Sequence, residues 1–485
     1  MDNNDINSPG NSPGNGKGDE ANNGLVAGVV GWVDERFPAT KMWKEHLSEY
    51  YAPKNFNFWY YFGALALLVL VIQLVTGLWL TMHYNPNAEH AFASVEYIMR
   101  EVPYGWLIRY MHSTGASFFF VVIYLHMFRA LLYGSYKGPR ELLWTFGMFL
   151  YLALMAEAFF GYLLPWGQMS FWGAQVIISL FGAIPFGIGD ILSEWIRGDY
   201  VVSDATLNRF FALHVIGMPL VLLGLVGAHI LALHEVGSNN PDGVEIKKNK
   251  NAQGIPMDGV AFHPFYTVKD VMGVVAFLFV FAFVVFFMPE MNGFFLEHDN
   301  FIPANSLQTP EHIKPVWYFT PYYAILRAIP HKLTGVLVFG AATMILFALP
   351  WLDKHPIKSI RYRGPAFVAL VMTFAFTFVV LGWLGLQPAE PVLSELGLRL
   401  AELYFAFFAM LWVYSKERSG TFMTVIFVVV AILLLMIDGI RYDEAKQSLM
   451  MISALVPLVY FGFFLFAPVL TNLNQPKPVP ERVTS

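Results

Sequence analysis

The sequence predicts an all-α protein, a polytopic bundle of about ten transmembrane helices. Of its 485 residues, 56% are hydrophobic and only 13% are charged, a composition typical of a chain whose apolar surface faces lipid. Ten apolar runs are long enough to cross about 30 Å of hydrocarbon. No glycine-rich nucleotide-binding loop or soluble domain separates these runs, so we expect nearly the whole chain to lie in a membrane.

Charge and cysteine content exclude several functions. A net charge of −5 is unremarkable at this length and indicates no nucleic-acid partner. The chain has no cysteine, which excludes disulfides, thiolate-bound iron–sulfur clusters and thioether-attached haem within it. A metal centre in this chain therefore cannot use thiolate ligands.

The N-terminal segment is polar. Its first thirty or so residues are rich in Asn, Gly, Asp and Ser, and lack both the apolar core of a signal peptide and the Arg-rich character of a transit peptide. We expect residues 1–50 to form a disordered tail and a cytoplasmic lead-in segment.

The predicted spans follow in order from there. The eighth is the weakest, because it is short and carries Glu402, although it could begin earlier, near Ser394. The ten spans lie near residues 58–82, 109–133, 142–163, 210–234, 271–288, 333–351, 366–385, 400–414, 421–439 and 449–470.

The second and fourth spans each carry two histidines. Fourteen residues separate His112 from His126, which places both on roughly one helix face about 21 Å apart. The fourth span repeats the arrangement with His214 and His229. A lone buried histidine is more often a hydrogen-bonded core or channel residue, but two pairs at near-equal spacing favour ligands. Four neutral imidazoles at paired depths suit two metal centres, and histidine is a common axial ligand of haem iron.

The distribution of positive charge predicts the orientation of these spans. With a cytoplasmic N-terminus, the even-numbered connections return to the cytoplasm, and they hold twelve Lys and Arg, more than the longer opposite loops. The second and fourth spans then both run from the outer to the cytoplasmic face. This orientation pairs His112 with His214 near the outer face and His126 with His229 near the cytoplasmic face, predicting one haem in each half of the bilayer.

The first and third spans carry glycines at the same fourteen-residue spacing, which predicts room for two flat macrocycles beside the backbone. These glycines are Gly63, Gly77, Gly147 and Gly161. Arg109 and Arg129 flank the first histidine helix at opposite ends. They are candidates for binding haem propionates or for ordinary interfacial anchoring.

Four further segments carry a resemblance to a known family. They read GYLLPWGQMSFWGA at 161–174, HEVGSNNP at 234–241, FHPFYTVKD at 262–270 and PVWY at 315–318. Together with the histidines, they make the chain from about residue 50 to 390 resemble the cytochrome b subunit of the quinol–cytochrome c reductase (bc1) complex.

The resemblance implies a bifurcated oxidation. A quinol at an outer site would give one electron to a Rieske iron–sulfur protein and on to cytochrome c1, and the other through two non-covalently bound b haems to a quinone at an inner site. Both partner centres would lie on other chains, because this chain has no cysteine. The resemblance also implies a homodimer among the lipids of a bacterial plasma membrane, with a cytoplasmic N-terminus.

The resemblance also assigns site residues. Those on the outer side are Tyr162, Trp317, Tyr318 and Tyr323. Those on the cytoplasmic side are His234, Ser238, Lys269 and Asp270. Similarity gives His234 and Asp270 a hydrogen-bonding or proton-donating role in quinone reduction; interfacial capping is the alternative.

Three regions follow the lead-in segment. They are a haem-binding four-helix core at 51–260, further transmembrane helices with the outer-site loop at 261–415, and an additional pair of spans with a cytoplasmic tail at 416–485. The family usually has eight spans, so the last two are an addition; alternatively, 449–470 is the usual last helix and a pair is inserted before it.

Two positions depart from the family pattern. His214 and His229 are fifteen residues apart, as in the chloroplast b6 relatives, where mitochondrial members have fourteen; a kink at Pro219 would absorb the extra residue. The continuous chain and the absence of cysteine argue against b6. Val316 stands where the family usually has a glutamate thought to accept a proton from quinol.

Glu157, in the third span one turn before Gly161, is our candidate for the missing proton acceptor. A carboxylate hydrogen-bonded between helices for structural reasons is the alternative. Glu311 and His312, just before the PVWY motif, are competing acceptors in a more solvated loop.

Two other classes of protein fit part of the pattern. A ferric reductase or NADPH-oxidase-like haem protein also places histidine pairs on two helices, but needs a flavin and nicotinamide domain that the sequence lacks, unless another chain supplies electrons. A transporter with functional histidines needs no haem. An absorption difference spectrum, reduced minus oxidised, detects haem and therefore separates a transporter from the haem proteins.

Overall fold

The computed structural model describes residues 17–415 and 476–484. This part of the chain is mostly helical. Its α-helices are α1 Lys17–Asp34, α2 Ala39–Trp43, α3 Tyr61–Thr81, α4 Ala91–Arg100, α5 Gly105–Tyr133, α6 Glu141–Leu163, α7 Gln168–Phe181, α8 Ile188–Arg197, α9 Asp204–Ala212, α10 Met218–Val236, α11 Phe262–Phe287, α12 Thr320–Ala328, α13 Lys332–Met344, α14 Leu349–Leu352, α15 Pro365–Leu386 and α16 Pro391–Tyr414. Two short strands, β1 Tyr51–Pro53 and β2 Gly259–Ala261, pair antiparallel.

Seven helical segments are long and apolar enough to cross a membrane, and they coincide with the first seven predicted spans. They are Phe58–Thr81, Gly105–Tyr133, Glu141–Leu163, Asp204–Val236, Phe262–Phe287, Lys332–Leu352 and Pro365–Leu386. The prediction of a multi-pass helical protein is therefore confirmed. The predicted spans at 421–439 and 449–470 lie outside the described residues.

The eighth predicted span corresponds to α16, which begins at Pro391, before the position expected from hydropathy. The helix carries three charged side chains, and its one arginine pairs with both glutamates. The Arg399 guanidinium is 2.8 Å from Glu395 and 3.2 Å from Glu402, and its side chain is only 4% exposed. A buried charge is tolerated when it is paired, so these residues are compatible with a helix packed inside the bundle.

The N-terminal segment differs from the expectation of disorder, because the chain is helical from Lys17 to Asp34. Apolar residues at positions 26, 29, 30 and 33 recur at helical spacing, and this local pattern outweighs the polar composition. Val26, Val29 and Trp32 are exposed. Residues 1–16 lie outside the described part.

Two helix pairs form the part of the bundle that carries the histidines. α3 packs along α5, and α6 packs along α10. A second group, α12, α13, α15 and α16, packs against the first and shares one buried apolar core with it. Van der Waals packing holds transmembrane helices together, so this continuous core fixes the distance between α5 and α10.

One end of the bundle, which we call the near face, gathers the lead-in segment, the even-numbered connections and the tail 476–484. Asn239, after α10, donates to the carbonyl oxygen of Tyr133 at the end of α5, at 2.7 Å. Ion pairs on this face are Lys137–Asp353, Arg361–Asp242 and Arg482–Asp258. The loops that charge counting assigned to one side of a membrane therefore meet on one side of the structure.

The opposite end, the far face, gathers the odd-numbered connections. The Tyr110 hydroxyl at the start of α5 donates to Glu290 after α11, at 2.8 Å. Gly167, after α6, forms an isolated bridge with Pro303. The alternation of connections between two faces is what consecutive antiparallel spans require.

The extra residue between His214 and His229 is absorbed in a π-helical turn, Leu213–Gly217. A π-turn bonds residues five apart and so contains one residue more than an α-turn. The predicted kink at Pro219 is therefore wrong as the explanation. Pro219 follows the π-turn by two residues, and the helical segment Asp204–Val236 continues through it.

A charge cluster on the near face predicts a pH dependence of stability. Burial opposes ionisation of Glu245, but Arg140 at 2.6 Å and Lys358 at 2.5 Å outweigh it and lower the Glu245 pKa to about 2, from 4.5. A carboxyl whose folded pKa is depressed contributes stability that is complete above its unfolded pKa and lost as pH falls through the folded one.

We therefore expect the melting temperature to fall by several degrees as pH decreases from about 4.5 toward 2. Thermal unfolding of wild-type protein and Glu245→Gln, followed by circular dichroism, checks this. The variant should be less stable near pH 7 and less sensitive to pH in that window; identical pH profiles would contradict the assignment.

Candidate functional site

Two pairs of imidazole rings face each other inside the bundle. His112 on α5 and His214 in the π-turn have ring centres 6.1 Å apart, with ring planes at 89°. His126 on α5 and His229 on α10 have ring centres 6.4 Å apart, with planes at 61°. The helical rise of α5 separates the two levels by about 21 Å. The structure thus brings together the same pairs that the sequence groups by depth.

Both ring separations fit a metal ion bound between two imidazoles. A bond of about 2.0 Å to each nitrogen, and about 1.1 Å from each nitrogen to its ring centre, place the two ring centres about 6.2 Å apart. A bare ion such as zinc takes four ligands. Haem iron takes only its axial ligands from the protein, so two imidazoles at each level suit haem.

Hydrogen bonds at the far-face level orient both rings. The Thr76 hydroxyl donates to the carbonyl oxygen of Ile72 at 2.6 Å and lies 2.9 Å from His112 Nδ1, so it accepts from this nitrogen. His214 Nδ1 is 3.0 Å from the backbone oxygen of Glu157 and donates to it. With Nδ1 carrying the proton, Nε2 keeps the lone pair that binds a metal.

The four paired glycines lie directly against the four histidines. The expectation that they also leave room for a macrocycle stays a prediction. A Cβ at each glycine would meet the Cε1 atom of one ring. The distances are 3.5 Å for Gly63 to His126, 3.1 Å for Gly77 to His112, 3.4 Å for Gly147 to His229 and 2.4 Å for Gly161 to His214. The glycines therefore make room for the imidazoles, and thereby set the position of each ring.

Two buried guanidinium groups fit an anionic ligand. Within the described residues, Arg109 Nη1 and Arg129 Nε are buried and have no hydrogen-bond partner. Arg129 lies 4.6 Å from the Tyr60 ring centre, and one of its terminal nitrogens is 3.4 Å from His126 Nδ1. Unpaired buried cations are costly, so a carboxylate-bearing group such as haem fits beside each arginine.

A cavity of roughly 540 Å³ extends from the near-face histidine pair, His126 and His229, toward the near face. It is within the size range of small-molecule sites. Its lining includes the predicted residues His126, His229, Gly63, Gly147, Arg129, His234, Ser238, Lys269 and Asp270. The structure therefore joins one candidate metal centre and the residues assigned to quinone reduction in one space.

Polar and aromatic contacts hold the near-face residues in place. The His234 ring stacks on Tyr50, with ring centres 4.6 Å apart, and the Ser238 hydroxyl is 3.3 Å from the Tyr50 hydroxyl. The Lys269 ammonium lies 4.2 Å from the Phe265 ring centre. Tyr50 belongs to the lead-in segment, which therefore packs against His234 and Ser238 at this end of the cavity.

The far-face residues are held by different elements. Asn300, in the loop after α11, donates to the Tyr162 hydroxyl at 2.8 Å. The Trp317 indole nitrogen donates to Ser117 of α5 at 3.1 Å, five residues beyond His112. These bonds tie the loop 289–319 to both α6 and α5.

The other two far-face tyrosines are also fixed. Tyr318 stacks on Phe120 of α5 with ring centres 3.9 Å apart, and its carbonyl oxygen accepts from Tyr124. The Tyr323 hydroxyl donates to the carbonyl oxygen of Ile313 at 3.2 Å. The PVWY segment at 315–318 is therefore anchored on α5, the helix that carries His112 and His126.

The Glu157 carboxylate contacts a histidine of the far-face pair. One carboxylate oxygen is 3.1 Å from His214 Nδ1, and the other is buried without a hydrogen-bond partner within the described residues. Val316 packs against the apolar core. The competing acceptors Glu311 and His312 are exposed, as expected for a solvated loop.

Several residues of this site escaped sequence reasoning. Asn300, Ser117 and the ion pair of Glu297 with Lys314, at 3.0 Å, hold the far-face loop. Their partners are distant in the sequence, so no local pattern indicates them. Thr76 had one signal, since it directly precedes a glycine of the fourteen-residue pattern.

The fold and site define a multi-pass helical membrane protein with two facing histidine pairs at separate depths. The family model described as cytochrome b/b6/petB matches residues 47–237, and that described as cytochrome b (C-terminal)/b6/petD matches residues 303–405. The chain belongs to the cytochrome b/b6 family. Membership implies haem b binding and a role in respiratory electron transport.

Individual relatives agree with this assignment. The chain is 61% identical to a cytochrome b of Allochromatium vinosum over 80% of this chain and 95% of the relative. It is 46% identical to a cytochrome b of Solanum tuberosum over 79% and 94% of the two chains. Among solved structures, a chain of a hyperthermophilic respiratory Complex III matches with a TM-score of 0.74 and 42% identity, over 80% of this chain and 98% of that one.

Proposed function

We propose that this chain is the dihaem electron-transfer subunit of a quinol–cytochrome c oxidoreductase. It oxidises quinol at the far face, reduces quinone at the near face, and couples this electron transfer to proton translocation. His112 and His214 ligate one b haem, and His126 and His229 ligate the other. When bound, the haems supply one-electron redox chemistry at two depths.

One observation carries the proposal. The near-face histidine pair lines the same cavity as His234, Ser238, Lys269 and Asp270. A redox centre next to groups that donate hydrogen bonds and protons is what quinone reduction requires, since the reaction takes up two electrons and two protons. His234 and Asp270 bind the quinone oxygens or deliver protons to them, and Ser238 and Lys269 help to bind it.

The far-face site is proposed on Tyr162, Trp317, Tyr318 and Tyr323, which lie around the ends of α5, α6 and the loop 289–319. Trp317 and Tyr318 contact the helix that carries His112, so a quinol bound there has a short path to this centre. The tyrosines orient the substrate and exclude water.

The proposal includes partners. Quinol oxidation at the far-face site releases two electrons, which need two acceptors. The haems of this chain accept one electron, and a Rieske iron–sulfur protein followed by cytochrome c1 accepts the other. A second copy of the chain completes a homodimer, and lipid covers the exposed apolar surface. The near face is cytoplasmic, as is the N-terminus, and the membrane is a bacterial plasma membrane.

Purification from membranes with its bound partners tests the function. We expect two spectrally resolved b haems per chain, and quinol-dependent cytochrome c reduction in a complex that contains both partners. A preparation without haem would overturn the proposal, as would a complex that lacks either partner and still oxidises quinol at full rate.

We further propose that Glu157 accepts a proton from quinol in place of the carboxylate missing at Val316. The buried second oxygen of Glu157 supports this role, because it has no partner within the described residues. Glu157→Gln should reduce quinol oxidation at least tenfold, since it removes the acceptor. Adding Val316→Glu should restore part of the rate. Steady-state turnover across pH, with haem content as the control, measures both; wild-type turnover in Glu157→Gln would refute the role.

A further inference from the structure

Helix α6 contacts the two histidines of the α10 segment in the same way twice. Gly147 lies against His229, and fourteen residues later Gly161 lies against His214. The residue four positions before each glycine, Leu143 or Glu157, lies on the same face of α6 as that glycine. The Glu157 backbone oxygen is 3.0 Å from His214 Nδ1, whereas His229 Nδ1 has no hydrogen-bond partner within the described residues. The two levels therefore share the glycine contact and differ at the position four residues before it.

That difference places a carboxylate at the far-face level only. The Glu157 Oε1 atom is 3.1 Å from His214 Nδ1, and both side chains are less than a fifth exposed. The backbone oxygen of the same residue is 3.0 Å from the same nitrogen, so the N–H of His214 donates between an amide oxygen and a carboxylate oxygen. At the near-face level, the Leu143 side chain offers no acceptor.

The chemistry of metal-bound imidazole gives this asymmetry a consequence. An imidazole whose Nδ1–H donates to a carboxylate is a more basic ligand than one that donates to a neutral carbonyl. A more basic ligand and a nearby negative charge both stabilise the oxidised form of an iron centre, which carries the higher positive charge. The centre bound by His214 should therefore be harder to reduce.

We propose that Glu157, besides the proton-accepting role proposed above, orients His214 through its ionised carboxylate and lowers the reduction potential of the far-face centre below the value that this centre would have without the carboxylate. This inference rests on the proposed function, since it needs His214 to be an axial ligand. Its effect is directional. With a haem held at each level, a lower potential at the far-face level would favour electron transfer from that level to the near-face level.

The chain offers a reciprocal pair of variants as the test. Glu157→Leu gives the far-face level the side chain of the near-face level, and Leu143→Glu does the reverse. An equilibrium redox titration of the purified complex, followed by b-haem absorbance without substrate turnover, measures both centres. In Glu157→Leu the reduced-to-oxidised ratio of the far-face centre at fixed ambient potential should rise about tenfold, equivalent to about 59 mV for one electron. Leu143→Glu should lower the near-face ratio by a similar factor, and each variant should leave the other centre unchanged.

Three outcomes decide the matter. Two haems with unchanged potentials in Glu157→Leu would overturn the inference and leave the proposed function intact. If Glu157→Leu loses a haem, the redox titration of Glu157→Gln decides. The glutamine amide oxygen still accepts from His214, but the negative charge is gone. A smaller upward shift of the far-face reduction potential supports the role of the charge, and no shift overturns the inference. Wild-type complex with no haem would instead refute the proposed function.

Discussion

Replacing His126 by leucine should remove the near-face haem and leave the far-face haem in place. His126 and His229 form one facing pair, whereas His112 and His214 form the other about 21 Å away along α5. Haem content should fall from two to one per chain. Quinol oxidation should fall by about 100-fold or more, because the electron route to the near-face cavity is lost.

Difference spectra and a pyridine haemochrome assay on the purified variant measure the loss. His331→Asn is a matched control, because His331 is an exposed N-cap of α13 that lies outside both pairs and asparagine is a good N-cap. The control should keep both haems. Two haems per chain in the His126 variant would contradict the assignment of this ligand.

Two glycine substitutions should have opposite outcomes. A Cβ at Gly161 would lie 2.4 Å from His214 Cε1, closer than real Cβ contacts allow, whereas a Cβ at Gly63 would lie 3.5 Å from His126 Cε1, an ordinary contact. The His214 ring is held in position by the hydrogen bond of its Nδ1 to the Glu157 backbone oxygen, so a ring displaced by the new Cβ would lose that bond and its alignment with His112. Overpacking in such a site displaces the ring.

We therefore expect Gly161→Ala to lose the far-face haem and most quinol oxidation, and Gly63→Ala to keep both haems and nearly full activity. Haem content and the spectrum of each purified variant give the answer. Equal haem content in the two variants would show that the glycine contacts do not set the ring positions.

The sequence sufficed for the features that repeat along the chain. Hydropathy located the first seven spans, because a lipid-crossing helix needs an unbroken apolar run. The spacing of His112 and His126, with the charge of the connections, grouped the imidazoles by depth, since helical rise and orientation are set by local rules.

Features that depend on contacts between distant segments could not be predicted. The Tyr162 hydroxyl bonds to Asn300, 138 positions away, and no local pattern records that pairing. The glycine spacing predicts close packing beside the backbone, but not that each glycine lies against a histidine ring, because that contact joins two different helices. The helix at Lys17–Asp34 was missed because the apolar pattern is short and lies within polar sequence.

The π-turn at Leu213–Gly217 separates two quantities that a regular helix keeps proportional, residue count and distance along the axis. Fourteen residues on α5 and fifteen on the α10 segment end at the same two levels, since the ring pairs are 6.1 Å and 6.4 Å apart. An alignment gap between the two ligands of one helix therefore need not signal a change in the electron-transfer distance. Deleting one residue within the turn would convert it to α geometry and preserve that distance, so homologues with either spacing can be compared ligand for ligand.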